Sequence, residues 1–148
     1  MTRPATEADL PLVEEAERGY IRDVEPGQED AWTAALDRNR ALWRANLART
    51  TVLEVDGAPA GFVMWTPDDG AALVVTVQVL PAFRRRGLGR RLLEECARQA
   101  AGAGCAEVRL GVHRGNPARA LYEAAGFAPA GEDGVYLLYR RVAVPGAG

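Results

Sequence analysis

The sequence predicts an α/β domain built on a mixed sheet. Three observations carry that prediction. Helical and strand patterns interleave in the order α-α-β-β-β-α-β-α-β-β. A strongly β-branched run over residues 72–79 reads as a central strand. Turn signals at Asp56-Gly57 and Asp68-Asp69-Gly70 set antiparallel neighbours ahead of that strand, so the sheet is not uniformly parallel. At 148 residues the chain is sized for one domain, expected over 1–143, with a frayed tail over 144–148. A chain of this length buries roughly 70% of its unfolded surface and needs no staples.

Each element has its own signal. Residues 9–18 form a first helix, which Asp9 can cap, with Pro11 in its first turn and Leu12, Val13 and Ala16 as its apolar stripe. A Gly/Pro stretch around 24–28 breaks the chain. Residues 29–49 then carry Trp32, Leu36, Trp43 and Leu47 at spacings of four, seven and four, a helical face. Residues 51–55 alternate as a strand, and 60–65 return as its hairpin partner. After Pro81 the pattern becomes a helix over 87–101, with Leu88, Leu92, Cys96 and Ala100 in register and Gly102 and Gly104 ending it. Residues 107–113 read as a strand, and a short helix opens near Asn116 and stops at Gly126. The stretches 127–130 and 135–142 make a closing antiparallel pair.

Composition excludes several chemistries. All 18 basic residues are Arg; Lys and Ser are absent, while Ala occupies 27 positions. A serine nucleophile, a Schiff-base lysine and a Walker-type phosphate lysine are therefore impossible. Cys96 and Cys105 lack metal-like spacing and sit among small and apolar residues, which favours buried packing and a reduced, cytoplasmic chain. The first residues, Met1-Thr2-Arg3-Pro4, show no apolar signal segment, and no run approaches the ~18 residues of a membrane span. A net charge of −2 argues against nucleic acid as a partner. That charge is unevenly placed. Residues 1–70 carry 14 acids and 7 arginines (net −7), and residues 71–148 carry 6 acids and 11 arginines (net +5), five of them within 84–91.

The most informative segment begins at Val77-Gln78-Val79, passes Leu80-Pro81-Ala82-Phe83, and ends in Arg84-Arg85-Arg86-Gly87-Leu88-Gly89-Arg90. A strand ends and glycines open a helix amid arginines. A helix N-terminus offers unpaired N–H groups and the positive end of its dipole, so the loop is an anion cradle. Gly87 and Gly89 would let a phosphate approach the main chain, and Arg84, Arg85, Arg86 and Arg90 add charge suited to a pyrophosphate. A P-loop needs the Lys-Ser/Thr pair that is missing here. A Rossmann fingerprint needs a third glycine, where this chain has Leu92.

The segment Val79-Leu80-Pro81 with Arg84-Arg85-Arg86-Gly87-Leu88-Gly89 resembles the coenzyme A loop of the GNAT superfamily of acyl-CoA-dependent N-acetyltransferases. A second family motif is matched by Asn116, Arg119-Ala120-Leu121-Tyr122 and Gly126-Phe127. The opening Arg3-Pro4-Ala5-Thr6-Glu7-Ala8-Asp9-Leu10 is similar to the family's first strand and helix start, so the likeness spans nearly the whole chain. It implies the GNAT fold, a mostly antiparallel sheet whose central strands, 72–79 and 107–113, splay apart between flanking helices.

The resemblance also implies acetyl-CoA as co-substrate, with no metal, and direct transfer of acetyl to an amine of a small molecule or peptide. The main chain of Val77, Gln78 and Val79 would pair with the pantetheine arm, and the amides from Arg85 through Gly87, Leu88 and Gly89 to Arg90 would wrap the pyrophosphate. Tyr122 would protonate the departing thiolate; the alternative is a tyrosine that packs helix on sheet. Asn116 would bond the pantetheine or cap its helix. No carboxylate lies in Val74-Val75-Thr76-Val77 or Leu110-Gly111-Val112, where many members carry a base, which leaves Glu54, Asp68, Glu132 or His113 acting through water. Acids at Asp23, Glu25, Glu132 and Asp133 would favour a cationic acceptor. Trp32 and Trp43 suit either the core or the surface of a homodimer. A rival reading is a non-catalytic acyl-CoA sensor, for which the missing strand carboxylate is the best support.

Overall fold

The computed structural model describes residues 1–143; the tail at 144–148, expected to fray, lies outside the described residues. Seven strands among the described residues form one sheet in the order β1-β2-β3-β4-β5-β7-β6. They are β1 (Thr2–Pro4), β2 (Thr50–Val55), β3 (Ala58–Asp68), β4 (Ala71–Val79), β5 (Glu107–His113), β6 (Ala128–Asp133) and β7 (Tyr136–Val142). All neighbours pair antiparallel except β4 and β5, which run parallel. The Asp56-Gly57 and Asp69-Gly70 turns adopt positive φ at both residues, the conformation a tight hairpin demands.

Five helices among the described residues flank the sheet: α1 (Leu10–Val24), α2 (Glu29–Ala34), α3 (Leu36–Ala45), α4 (Leu88–Gly102) and α5 (Arg119–Ala124). Alternation along the strands sends side chains to two cores. Val52, Phe62 and Met64 meet Val13 of α1 and Trp43 of α3 on one face. Leu53, Val63 and Trp65 meet Leu92, Leu93, Cys96 and Ala97 of α4, together with Tyr122 of α5, on the other. All four α4 positions expected in register, Leu88, Leu92, Cys96 and Ala100, are buried.

Three expectations change. The first helix runs six residues beyond Arg18, to Val24. Asp9 does not cap it through its side chain; the carboxylate turns back to accept the Thr6 N–H (2.8 Å) and two bonds from the Arg3 guanidinium (2.9 Å each). The helix expected over 29–49 is broken at Ala35. There the Thr33 hydroxyl bonds back to the Glu29 carbonyl (2.9 Å), a contact that competes with the helical ladder and bends it. Its end comes at Asn46, whose side-chain amide donates to the Leu42 carbonyl (2.9 Å) and whose own carbonyl takes the Thr50 hydroxyl (2.8 Å). Trp43 belongs to the core, and Trp32 packs against it under the Arg18 guanidinium, 5.0 Å from its ring centroid.

Candidate active-site cleft

Strands β4 and β5 start together and then part. Their parallel register is limited to Ala72 against Val108 and Leu73 against Arg109, although β4 continues to Val79 and β5 to His113. A bulge helps to turn β4 away: its register against β3 shifts between Met64 and Trp65, leaving Val75 without a counterpart. On its other side β4 stays paired to β3 as far as Val79. The edge of β4 beyond Leu73 therefore faces a cleft of about 840 Å³.

One end of the cleft is main chain. After β4 a short turn over Pro81–Phe83 leads into the arginine loop. Arg85 (φ +66°) and Gly87 (φ +75°) are both left-handed, which turns successive N–H groups into a concave nest. The first intrahelical bond of α4 runs from the Arg91 N–H to the Gly87 carbonyl (3.3 Å). The amides of Leu88, Gly89 and Arg90 precede it and remain as helix-end donors. Gly87 has open space where a Cβ would stand. Gly89 differs from expectation, since a Cβ there would sit 2.8 Å from Leu121 Cδ2. Its bareness also lets α5 approach α4.

The arginines divide. Arg84 and Arg85 line the cleft with Val77, Gln78, Val79, Gly87, Leu88 and Gly89. Arg84 folds back to donate to the Val79 carbonyl (3.1 Å). The side chains of Arg86 and Arg90 leave the cleft wall: Arg86 lies over Phe83 (5.6 Å), and Arg90 pairs with Glu94 one turn along α4 (2.9 Å). Arg86 precedes α4 in the loop and Arg90 lies in its first turn.

The middle of the cleft holds Tyr122 and Asn116. Tyr122 is 6% exposed, tilted against Tyr139 with ring centroids 5.9 Å apart. Burial pushes its phenol up to about 12, so it keeps its proton at neutral pH. Asn116 accepts the Ala118 N–H through Oδ1 (2.9 Å) and donates through Nδ2 to the Tyr20 hydroxyl (3.3 Å). It thus shapes the turn into α5 and ties that turn to α1.

The far end is made of side chains that sequence reading did not assemble. Glu17 of α1 reaches the splayed part of β4, where its Oε1 accepts hydrogen bonds from the Thr76 hydroxyl and from Gln78 Nε2 (3.4 Å). Burial drives its carboxyl above the usual range, with the nearby Glu25 carboxylate adding to the rise, while the two β4 donors oppose it. Glu25 is 7% exposed and accepts from the Tyr136 hydroxyl (3.4 Å). Burial and that same carboxylate raise the Tyr20 phenol. His113 stands edge-on to Tyr136, at 6.0 Å between centroids, and its Nδ1 accepts the Gly115 N–H (3.0 Å).

Of the expected bases, only His113 lines the cleft. Glu54 pairs with Arg3 (3.2 Å), Glu132 pairs with Arg114 (2.8 Å), and Asp68 ends β3 at the hairpin. Among the acids expected to frame an acceptor, Glu25 lines the cleft, while Asp23 is exposed beside Arg22. The signal that identifies Glu17 is its place in α1. Val13, Glu17 and Ile21 are spaced i, i+4, i+8, a carboxylate within a buried stripe. Cys96 is inert, since burial pushes its thiol up to about 12. Among the described residues no group of three or more His, Cys, Asp or Glu could hold a metal.

A parallel pair that splays beside a glycine-arginine loop is matched in sequence as well. Residues 12–127 fit the profile of the Acetyltransferase (GNAT) family. The chain belongs to the GNAT acetyltransferase family. Solved GNAT structures share its fold. A PaiA N-acetyltransferase from Thermoplasma acidophilum, in complex with coenzyme A, superposes with a TM-score of 0.79 at 19% identity, covering 96% of this chain and 98% of that one. YncA, a putative acetyltransferase from Salmonella typhimurium with its cofactor acetyl-CoA, gives 0.76 at 21% identity over 100% and 96%. A ribosomal-protein-alanine N-acetyltransferase from Brucella melitensis gives 0.70 at 21% over 96% and 99%. No curated protein gives a significant match.

Proposed function

We propose that this GNAT protein is an N-acetyltransferase that moves the acetyl group of acetyl-CoA directly to the amine of a small molecule or peptide. The observation that carries the proposal is the continuous cleft between β4 and β5, cationic and rich in N–H donors at one end and acidic at the other. The residues present fit the coenzyme. Nest amides, a helix start and Arg85 suit a diphosphate. The edge of β4 that β5 leaves unpaired at Val77, Gln78 and Val79 suits an arm that carries amides. When bound, acetyl-CoA supplies an activated acetyl thioester.

The chain supplies the rest. The β4 edge orients the arm, and the walls formed by Leu110, Val112 and Leu121 limit water around the reacting group. Tyr122 lines the cleft and keeps a donatable proton, which is what a general acid for the leaving thiolate requires. Glu17 and Glu25 attract a cationic acceptor and hold it at the other mouth. The sensor alternative loses its main support, because Glu17 brings from α1 the carboxylate that β4 lacks. The test is an acceptor panel of polyamines, amino acids, aminoglycosides and peptides with acetyl-CoA. Thiol release should accompany an N-acetylated product, with cationic acceptors preferred. Tight acetyl-CoA binding without turnover on any acceptor would establish the sensor instead, and a preference for neutral or anionic amines would reject the role given to the acidic mouth.

A further inference from the structure

We propose that Glu17 is the proton acceptor that converts the acceptor's ammonium into a nucleophilic amine, with Thr76 and Gln78 as the residues that position it. The proposal rests on the reading of the cleft as an amine acetylation site. Three facts point to Glu17. Its carboxylate lies at the splay, where an acceptor entering from the α1 side would meet the β4 edge. Both β4 hydrogen bonds go to Oε1, leaving Oε2 without a protein partner among the described residues. Burial and Glu25 also raise its proton affinity, bringing it closer to the working pH, which is what a general base needs.

The other titratable groups around it serve the task less well. Tyr20, from the same helix, and Tyr122, from α5, hold their protons because burial raises both phenols. Glu25 is bonded by Tyr136 of β7 and, among the described residues, accepts no hydrogen bond from β4. The Nδ1 of His113, on β5, accepts the Gly115 amide, so a neutral His113 carries its proton on Nε2 and cannot accept another there. Arg38 of α3, together with Arg84 and Arg85 of the loop, offers hydrogen-bond donors and no acceptor.

The proton balance closes. An aliphatic ammonium with a pKa near ~10.4 gives one proton to Glu17, which later releases it to solvent. The freed lone pair forms the C–N bond as the acetyl C–S bond breaks. The thiolate takes a proton from Tyr122, and the nitrogen's surplus proton restores the phenol. One proton is released per acetyl transferred.

The experiment is a pH profile of kcat/KM for the wild type, Glu17→Gln, Glu17→Asp and Thr76→Val, with the best acceptor from the panel. It is paired with carbon-13 NMR titration of the Glu17 carboxyl in the coenzyme-free protein. Glu17→Gln should lose ~10²–10⁴-fold in kcat together with the acidic limb assigned to Glu17, and its acetyl-CoA affinity should not change. Glu17→Asp should keep the limb at a reduced rate. Thr76→Val removes a hydrogen bond to the charged form, so both the limb and the NMR titration should move to higher pH. An acidic limb and rate that survive Glu17→Gln would overturn the assignment of Glu17 and leave the acetyltransferase reading standing. A wild type that acetylates no amine would overturn both.

Discussion

The two ends of the cleft are built by different means. The end proposed for the coenzyme is main chain: left-handed Arg85 and Gly87, and the first amides of α4, all within a dozen residues of sequence. The end proposed for the acceptor is side chain, assembled from distant parts of the chain. Glu17 and Thr76 are 59 residues apart, Tyr20 and Asn116 are 96 apart, and Glu25 and Tyr136 are 111 apart. A main-chain cradle recognises a group common to every turnover and tolerates change in most side chains around it. A side-chain pocket can be rewritten one residue at a time. On the proposed function, the difference separates the half that holds the coenzyme from the half that selects the acceptor.

Apart from the loss expected of Glu17→Gln, the largest effect falls between the two ends. Tyr122→Phe removes the leaving-group proton without altering either mouth, so kcat should drop by roughly 10²-fold or more while acetyl-CoA affinity stays within about twofold. Single-turnover rates with calorimetric binding check this, and an unchanged kcat would return Tyr122 to packing. Next is Glu25→Gln. Loss of a charge-assisted contact to a cationic acceptor should raise acceptor KM about tenfold, with kcat changed much less. An equal rise in KM for neutral amines would show that the pocket is merely distorted.

The acidic end also depends on how α1 is anchored. Asp9 is 6% exposed, and the Arg3 guanidinium with the Thr6 N–H holds its carboxyl below the usual range. A depressed folded-state pKa contributes stability above the unfolded value near ~3.9 and loses it as pH falls through the folded value. Asp9→Asn should therefore cost about 1–3 kcal/mol at pH 7 and progressively less in acid. Urea unfolding at several pH values measures it. The acceptor KM should suffer more than acetyl-CoA binding.

The smallest effect has the opposite sign. The carboxyl of Glu17 is raised by burial, so native stability falls as pH rises from the unfolded pKa through the folded one. Glu17→Gln removes that penalty and should increase Tm by a few degrees at pH 8, roughly 1 kcal/mol, with the two proteins converging near pH 4. A lower Tm at pH 8 would mean that the charged carboxylate is stabilising and that its pocket is wetter than its burial implies.

The contrast also explains what could be read in advance. The sheet, the hairpins and the register of α4 follow from local periodicity. The anion loop follows from a contiguous glycine-arginine segment. Glu17 escaped because ending the first helix at Arg18, just before Gly19, removes Ile21 and hides the stripe in which Glu17 stands. A glycine inside a helix costs only about 1 kcal/mol, which packing against β4 and the Val13 core overrides. The fates of Arg86 and Arg90 were equally hidden, since a run of arginines does not say which side chains stack on Phe83 or pair with Glu94 and which face a ligand.

The division of labour is tested most directly by calorimetric titration of acetyl-CoA into the wild type, Gly87→Ala and Glu25→Gln. At φ +75° an alanine costs roughly 1–2 kcal/mol and flattens the nest. Kd should rise about tenfold in Gly87→Ala and stay within about twofold in Glu25→Gln. An unchanged Kd in Gly87→Ala, or an equal loss in Glu25→Gln, would contradict it.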